Sequence, residues 1–140
     1  MANYYCDIAL VGGALDVAAA ENTSGAGATV QFCGDVRPLE NGEPIEGIEY
    51  DAHQEMAKHQ LRTIVDEAAE RFGLLAVRLH HRLGFVAVGE TSLFLRVAAA
   101  HRGAAFDASR WIVDELKKRV PIWKSIMVRA DKARRRTVRV

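Results

Sequence analysis

Cysteine is scarce in this sequence, and long apolar runs are missing from it. The two cysteines among 140 residues, Cys6 and Cys33, cannot build the disulfide framework of a small secreted domain, and they lack the spacing of metal ligands. No apolar run reaches the ~18 residues that span a bilayer, and the opening MANYYCDIAL has no basic secretory segment. These absences exclude a disulfide scaffold and a helical membrane protein. They predict buried or half-buried thiols in a protein of the reducing cytoplasm.

Metal-binding and phosphate-loop motifs are also missing from the sequence. His80 and His81 are adjacent in a predicted strand, so they face opposite sides of it. His53 and His59 are six residues apart on a predicted helix, which is the wrong spacing for shared ligation. GGALDV lacks the lysine of a phosphate-binding loop, and no nucleophile motif accompanies the serines and cysteines. The residues therefore predict no metal site.

The composition that remains is typical of one globular domain, with 49% hydrophobic and 26% charged residues. The formal net charge is only +1, but residues 128–140, VRADKARRRTVRV, hold six Lys/Arg and one Asp, a local +5 that leaves −4 for residues 1–127. We therefore predict a domain over 1–127 and a basic C-terminal tail over 128–140. The tail is either solvated or a contact for phosphates on nucleic acid or a small ligand.

The alternation and spacing of apolar residues predict an α+β fold. Strands are predicted over YYCDIALVGG, ATVQFCGDV, IEYDA, LLAVRLHHRLG, ETSLFLRVAAA and IWKSIMV, with FVAVG as the connection between the fourth and the fifth. A short helix is predicted over ALDVAAAEN. Gly34 interrupts the second strand and predicts a β-bulge there.

Two main helices complete this pattern. The first follows Asp51 and Gln54, which resemble a capping box, and ends at Gly73; the second covers about 103–119 and ends before Pro121. Apolar residues at three- and four-residue spacing predict the buried faces. They are Ala57, Leu61, Ile64, Val65, Ala68 and Phe72 on the first helix, and Phe106, Ser109, Val113, Leu116 and Val120 on the second. Trp111 lies off this stripe and is expected to need a second packing partner.

Cations stand at both ends of the second main helix. His101 and Arg102 precede it, where a helix favours acidic groups, so an anion is expected to join them. Lys117 lies at the margin of the apolar arc, while Lys118 projects into solvent. A lysine at that margin loses hydration, which favours a neutral, more reactive amine; the alternative is an ordinary lysine near a helix C-terminus.

Several of these segments together resemble one protein family. HHRLGFVAVGETSLFLRVAAAHRGAAFDASRWIVDELKKRVPIWK resembles the large subunit of molybdopterin synthase through His-Arg-Leu-Gly, Val-Gly-Glu, Ala-His-Arg, Ala-Phe, Leu-Lys and Pro-Ile-Trp-Lys. GAGATVQFCGDVR is similar to the family's glycine-flanked strand ending in Gly-x-Val-Arg, and IEYDAHQEM to its strand-to-helix junction. The resemblance covers about residues 4–125.

The resemblance implies an α/β-hammerhead fold with an antiparallel or mixed sheet, and a sulfurtransferase that uses no metal or other cofactor. It implies a homodimer of large subunits with a small ubiquitin-like partner at each end, giving a heterotetramer. In the family, the partner's C-terminal Gly-Gly carries a thiocarboxylate. Its sulfur passes to cyclic pyranopterin monophosphate, and two such transfers form the dithiolene of molybdopterin, in molybdenum cofactor biosynthesis.

The resemblance also implies residue roles. Lys117 matches the central catalytic lysine and Lys124 the second lysine. The substrate-binding residues implied are Phe32, which matches a pocket-lining aromatic, Arg37 at the end of its strand, and the pair His101 and Arg102, which the neighbouring protomer lends to the pocket. Strict alternation would place Phe32 and Arg37 on opposite faces, so a common site requires the bulge at Gly34.

Three segments depart from the family pattern. PLENG follows Arg37 where a short polar run is usual, SIM follows Lys124 where a basic residue and a glutamate are usual, and the basic tail replaces an acidic, Trp-containing end. An alternative function is therefore a non-catalytic homologue that binds a ubiquitin-like partner, or that binds nucleic acid through the tail. Binding to nucleic acid would weaken steeply with salt.

Overall fold

The computed structural model describes residues 3–17, 22–128 and 135–140, and these contain nine strands and two helices. The strands are β1 Tyr5–Val11, β2 Ala28–Asp35, β3 Leu39–Glu40, β4 Glu43–Ala52, β5 Ala76–Arg82, β6 Gly84–Ala87, β7 Thr91–Ala99, β8 Ile122–Val128 and β9 Arg135–Arg139. The helices are α1 Gln54–Phe72 and α2 Arg102–Arg119. The predicted α+β class is confirmed, with both main helices present.

The first sheet has the order β1-β5-β7-β2 and supports both helices. β1 and β5 are parallel, whereas β7 is antiparallel to both of its neighbours. α1 contacts β1 and β5, and α2 contacts β2, β7 and α1. Leu79, Leu95 and Val97, which are fully buried, belong to the core that lies between this sheet and the helices.

The second sheet has the order β3-β4-β8-β9, and β6 also pairs with β4. The prediction that FVAVG is only a connection is wrong, because most of this segment forms the strand β6. Its close pairing with β4 requires a glycine: a Cβ at Gly47 would lie 2.4 Å from the Val86 carbonyl oxygen and 2.6 Å from the Phe85 ring. The strand character of this segment therefore depends on a contact distant in sequence.

The start of α1 differs from the predicted capping box. Asp51 lies in β4, which continues to Ala52 because it pairs with β8. The N-cap is His53, whose Nδ1 accepts a hydrogen bond from the Met56 N–H at 3.4 Å. The predicted end is confirmed, since Gly73 has φ of 65°, the left-handed conformation that glycine adopts without strain.

The buried face of α2 is also shifted from the predicted stripe. Ser109, Leu116 and Val120 are buried as expected, but Phe106 is 61% exposed. The stripe is completed by small residues and an isoleucine, Ala105, Ala108 and Ile112, which let the helix approach the sheet closely. A preference for large apolar side chains led to the wrong prediction for Phe106.

Trp111 packs within the chain. Its ring lies 6.2 Å from the Phe72 ring of α1 in an edge-to-face arrangement, and the Arg71 guanidinium lies 5.6 Å from the Trp111 centroid. The second packing partner that Trp111 was expected to need is therefore α1. Trp111 is therefore packed without a second chain.

The remaining predictions concern the ends of the chain and its thiols. The short helix predicted over ALDVAAAEN is not seen at 14–17 or at Asn22, which are not helical. Its remaining residues, 18–21, lie outside the described ranges. Part of the basic tail forms β9, antiparallel to β8, while 129–134 lie outside the description. Cys6 and Cys33 are half-buried free thiols, as predicted. Within the described ranges, neither helix combines the length and apolar character needed to cross a bilayer.

Candidate active site

A cavity of about 300 Å³ lies where α2 meets both sheets. Four of the six predicted site residues line it: Phe32, Arg37, Lys117 and Lys124. They come from β2, the segment after β2, the last turn of α2 and β8, so only the tertiary structure brings them together. Arg37, Lys117 and Lys124, which are distant in sequence, thus line one cavity.

Phe32 and Arg37 share the cavity. Arg37 lies beyond the end of β2, so strand alternation does not fix the side to which it points, and the first sheet is irregular just before it. Gly34 pairs with Leu93 but Asp35 pairs with Thr91, so one residue of β7 is left over. The predicted bulge is thus confirmed in position, although the extra residue lies on β7 and not on β2. Such a bulge increases the local twist, and the chain leaves the sheet directly after it.

The two adjacent lysines have different surroundings. Lys117 lines the cavity, and no residue in the described part of the chain forms an ion pair with it. Lys118 points to Glu115, with Nζ 3.3 Å from Oε2. The predicted difference in direction is confirmed. Lys117 is nevertheless exposed, so the expected loss of hydration by burial is wrong for this structure.

Glu40, a residue that the sequence analysis missed, joins the other two cations. Its carboxylate lies 3.4 Å from the Arg37 guanidinium and 3.8 Å from Lys124 Nζ. The Glu40 side chain is 15% exposed, whereas that of Arg37 is 76% exposed. Glu40 lies within PLENG, one of the three segments that depart from the family pattern. That departure is the sequence feature that could have pointed to Glu40.

Buried polar residues also line the cavity and were not predicted. The Tyr50 hydroxyl donates to Ser92 Oγ at 3.3 Å, and Ser92 donates to the Gly34 carbonyl at 3.1 Å. His81 is 2% exposed, its Nδ1 is 2.9 Å from the Arg82 carbonyl oxygen, and its ring is edge-to-face with Tyr50. Burial lowers the pKa of the His81 imidazole, which is therefore neutral at pH 7.

The end of the chain contributes to the cavity as well. Val140 lines it, and the Val140 N–H donates to the Ile122 carbonyl at 2.9 Å. Val138 pairs with Lys124 across β9 and β8. Arg139 donates to the Lys118 carbonyl at 3.0 Å, next to the Lys117 position at the end of α2. The basic composition of this segment gave no indication of these contacts.

His101 and Arg102 lie elsewhere. They line a separate cavity of about 500 Å³ with Gly27, Ala100 and Gly103, at the start of α2. Arg102 and Lys117 are fifteen residues apart on the helix, about 22 Å along its axis. Within one chain, the pair at 101–102 and the lysines cannot bind the same small ligand. The first turn of α2 has no acidic residue, and the His101 side chain makes no capping hydrogen bond.

The charges of the first cavity favour an anionic ligand. Arg37, Lys117 and Lys124 supply three positive charges, against the carboxylates of Asp35 and Glu40. Arginine binds phosphate through two parallel N–H groups, and lysine amines can transfer protons. The arrangement can therefore bind a phosphate-bearing substrate and assist a group transfer beside it.

The chain is similar in sequence to proteins of one family. The sequence model described as MoaE protein matches residues 11–119. The molybdopterin synthase catalytic subunit of Thermoplasma volcanium is 42% identical over 99 residues, covering 71% of this chain and 72% of that protein. The molybdopterin synthase catalytic subunit of Pyrococcus abyssi is 43% identical over 103 residues, covering 74% and 70%.

Solved structures share the fold. Molybdopterin synthase from Staphylococcus aureus has a TM-score of 0.82 at 26% identity and covers 94% of this chain and 95% of that one. A protein–protein complex of subunits 1 and 2 of molybdopterin-converting factor from Helicobacter pylori has a TM-score of 0.71 at 23% identity, covering 91% and 87%.

Proposed function

The chain belongs to the MoaE protein family, and we propose from this that it is the catalytic subunit of a molybdopterin synthase, a sulfurtransferase of molybdenum cofactor biosynthesis. The observation that carries the proposal is the cavity that Arg37, Lys117 and Lys124 line together with Phe32. The family resemblance assigns these four residues to the part of the site that one chain supplies, whereas His101 and Arg102 come from the neighbouring protomer.

The proposed reaction moves sulfur between two anionic molecules. The donor is the C-terminal thiocarboxylate of a small ubiquitin-like subunit, and the acceptor is cyclic pyranopterin monophosphate. Each donor delivers one sulfur atom and is left as a carboxylate, so two successive transfers form the dithiolene of molybdopterin. Anionic groups brought this close repel one another unless cations lie between them. The three cavity cations meet this requirement, and the Helicobacter pylori neighbour, solved as a complex of two subunits, supports a small-subunit partner.

Each residue has a proposed role. Arg37 binds the phosphate, Phe32 forms the apolar wall, and Lys124 supplies positive charge. Lys117 is the proton-transfer group as sulfur adds and oxygen leaves, because it is the cavity lysine without an ion-pair partner in the described ranges. Residues 1–127 are proposed as the catalytic domain and 128–140 as a basic extension, in a protein of the cytoplasm.

A second protomer completes the proposed site. His101 and Arg102 lie too far from Lys117 to act in the same chain, and their helix start has no acidic residue to neutralise them. β2 is an edge strand of the first sheet. The cavity with His101 and Arg102 lies at its start, next to Gly27, and the cavity with Lys117 lies at its end. Antiparallel pairing of β2 with its copy in a homodimer would bring the two cavities of different protomers together.

The test is single-turnover formation of the dithiolene product by the purified chain with saturating thiocarboxylated small subunit. Lys117→Ala should lower the rate by about 10²–10⁴, as expected for loss of a general acid or base. Lys118→Ala is the matched control, because it removes the same charge one residue away and faces Glu115 instead of the cavity. Equal losses in both variants, or product from neither wild type nor variant, would contradict the proposal.

A further inference from the structure

Ser92 lies in the cavity wall because of the bulge in β7. Gly34 pairs with Leu93 and Asp35 with Thr91, so Ser92 is the extra residue. Adjacent residues of a regular strand face opposite sides of a sheet, yet Ser92 and Leu93 both line the cavity. A bulge re-aims a side chain in this manner. The bulge in β7 therefore places the Ser92 side chain in the cavity wall.

The Ser92 hydroxyl connects three strands. It donates to the Gly34 carbonyl oxygen of β2 at 3.1 Å and accepts from the Tyr50 hydroxyl of β4 at 3.3 Å. Ser92 is 7% exposed and Tyr50 is 8% exposed. A serine hydroxyl has one proton to donate, and here the protein itself takes it. The geometry therefore gives Ser92 a role within the wall and not as a donor to a ligand.

The end of β2 has further ties to the start of β7. Three hydrogen bonds join residues 35–36 to residues 89–91. They are Thr91 Oγ1 to Asp35 Oδ1 at 2.7 Å, Val36 N–H to the Glu90 carbonyl at 3.0 Å, and Gly89 N–H to the Val36 carbonyl at 2.8 Å. Together with the hydrogen bond from Ser92 to the Gly34 carbonyl, these bonds connect every residue from 34 to 36 to residues 89–92.

Arg37 follows this stretch immediately and has little support of its own. Its side chain is 76% exposed, and its ion-pair partner is Glu40, three residues away on the same turn of chain. The position from which Arg37 reaches into the cavity is consequently set by the backbone of 34–36. A charged side chain that must first be ordered binds an anion less tightly than one already in place.

We propose that Ser92 is a positioning residue for Arg37: its hydroxyl holds the Gly34 carbonyl across the bulge and so fixes the strand end that presents the guanidinium to a phosphate. The inference rests on the proposed role of Arg37 as the anion anchor. Tyr50 supports the arrangement by donating to Ser92.

Ser92→Ala tests the proposal, with Ser109→Ala as the matched control. Ser109 is also 7% exposed, and its hydroxyl donates to the Ala105 carbonyl at 2.7 Å within α2. The control thus loses an equally buried serine hydroxyl away from the bulge. Binding of inorganic pyrophosphate is followed by the NMR shift of the Arg37 side-chain Nε–H, and amide exchange at residues 35–37 is recorded on the same samples.

Ser92→Ala is expected to raise the Kd for pyrophosphate about tenfold and to speed amide exchange at 35–37. Without the hydroxyl, the strand end and Arg37 must be ordered when the anion binds, and this ordering costs binding free energy. Ser109→Ala should leave both the Kd and the exchange within about twofold, because the hydrogen bond that it removes lies within α2 and away from the bulge. Ser92→Thr keeps the hydroxyl and should restore most of the affinity. In turnover, Ser92→Ala should raise KM for the phosphate-bearing substrate while kcat stays within about threefold.

An unchanged Kd in Ser92→Ala, an equal rise in Ser109→Ala, or no Arg37 shift in the wild-type chain would overturn the inference. Pyrophosphate binding needs no sulfur transfer. A wild-type chain that bound pyrophosphate at Arg37 but formed no product would therefore contradict the proposed function and still decide the role of Ser92.

Discussion

At the scale of single residues, Glu40 offsets two of the three cavity cations. Its carboxylate lies within 3.8 Å of both Arg37 and Lys124 and is largely shielded from solvent. A negative group between two cations lowers the positive potential that attracts a phosphate. An anionic substrate therefore competes with Glu40 for the same side chains.

Glu40→Gln should consequently strengthen binding of the phosphate-bearing substrate. We expect KM to fall about threefold, which corresponds to the 0–1 kcal/mol of an ion pair with one largely exposed partner. Glu70→Gln, which removes the same charge from the exposed side of α1, is the control and should leave KM unchanged. A higher KM in Glu40→Gln, measured at constant ionic strength, would mean that the carboxylate organises the cations instead of competing for them.

His81 makes the stability of the fold depend on pH. Burial lowers the pKa of its imidazole below the ordinary value of 6.5. Below pH 6.5 the unfolded chain takes up the proton more readily than the folded one, so the free energy of unfolding falls as the pH falls toward the folded pKa. Above pH 6.5 this loss is absent.

The predicted slope is up to about 1.4 kcal/mol per pH unit for one proton. Urea unfolding between pH 7 and 5 should show it in the wild type and show less of it in His81→Gln. His59→Gln, on the exposed side of α1, should keep the wild-type slope. Parallel curves for wild type and His81→Gln would rule out His81 as the source.

At the scale of elements, α2 is the part of the fold that carries Lys117, and several contacts hold it in place. Trp111 packs on Phe72 of α1. Arg119 binds both Glu67 carboxylate oxygens, at 3.0 and 3.2 Å. The Arg139 guanidinium of β9 binds the last turn of the helix. The position of Lys117 therefore depends on α1 and on the C-terminal strand.

Trp111→Ala should destabilise the fold without changing the oligomeric state. Removing a half-buried tryptophan leaves a gap against Phe72, and we expect a loss of about 3 kcal/mol in urea unfolding. Phe106→Ala on the same helix is the control, because Phe106 is 61% exposed and should change stability by about 0.5 kcal/mol or less. Dissociation of the proposed dimer in Trp111→Ala, detected by light scattering, would contradict the intrachain packing.

At the scale of the whole molecule, the two groups of cations divide the proposed site between protomers. Light scattering at micromolar concentration should give a dimer. Mixing Lys117→Ala with Arg102→Ala chains under conditions of subunit exchange tests the sharing directly. In a mixed dimer, one site keeps Lys117 from one chain and Arg102 from the other.

Random mixing makes about half of the dimers mixed, each with one intact site, so about one quarter of the wild-type single-turnover amplitude should return. Each variant alone should show little product. A monomer in light scattering, or no recovery in the exchanged mixture, would mean that Arg102 does not act in the neighbouring site.

The sequence predicted those features that depend on neighbouring residues. Apolar spacing located both main helices and most strands, Gly73 marked a helix end, and Gly34 marked the irregularity in the first sheet. The start of α1 and the strand β6 were not predicted correctly, because pairing of β4 with β8 and β6 extends or creates strands through partners distant in sequence.

For the site, the sequence by itself selected the candidate cations, since Arg37, Lys117 and Lys124 stand in family motifs and at recognisable ends of elements, and these three line one cavity. Only the tertiary structure decided their surroundings. Glu40, Tyr50, His81 and Ser92 acquire their roles from contacts across strands, and a bulge turns Ser92 into the wall. Local patterns record the conformation that a segment prefers, whereas a hydrogen bond or ion pair between distant segments exists only after the chain has folded.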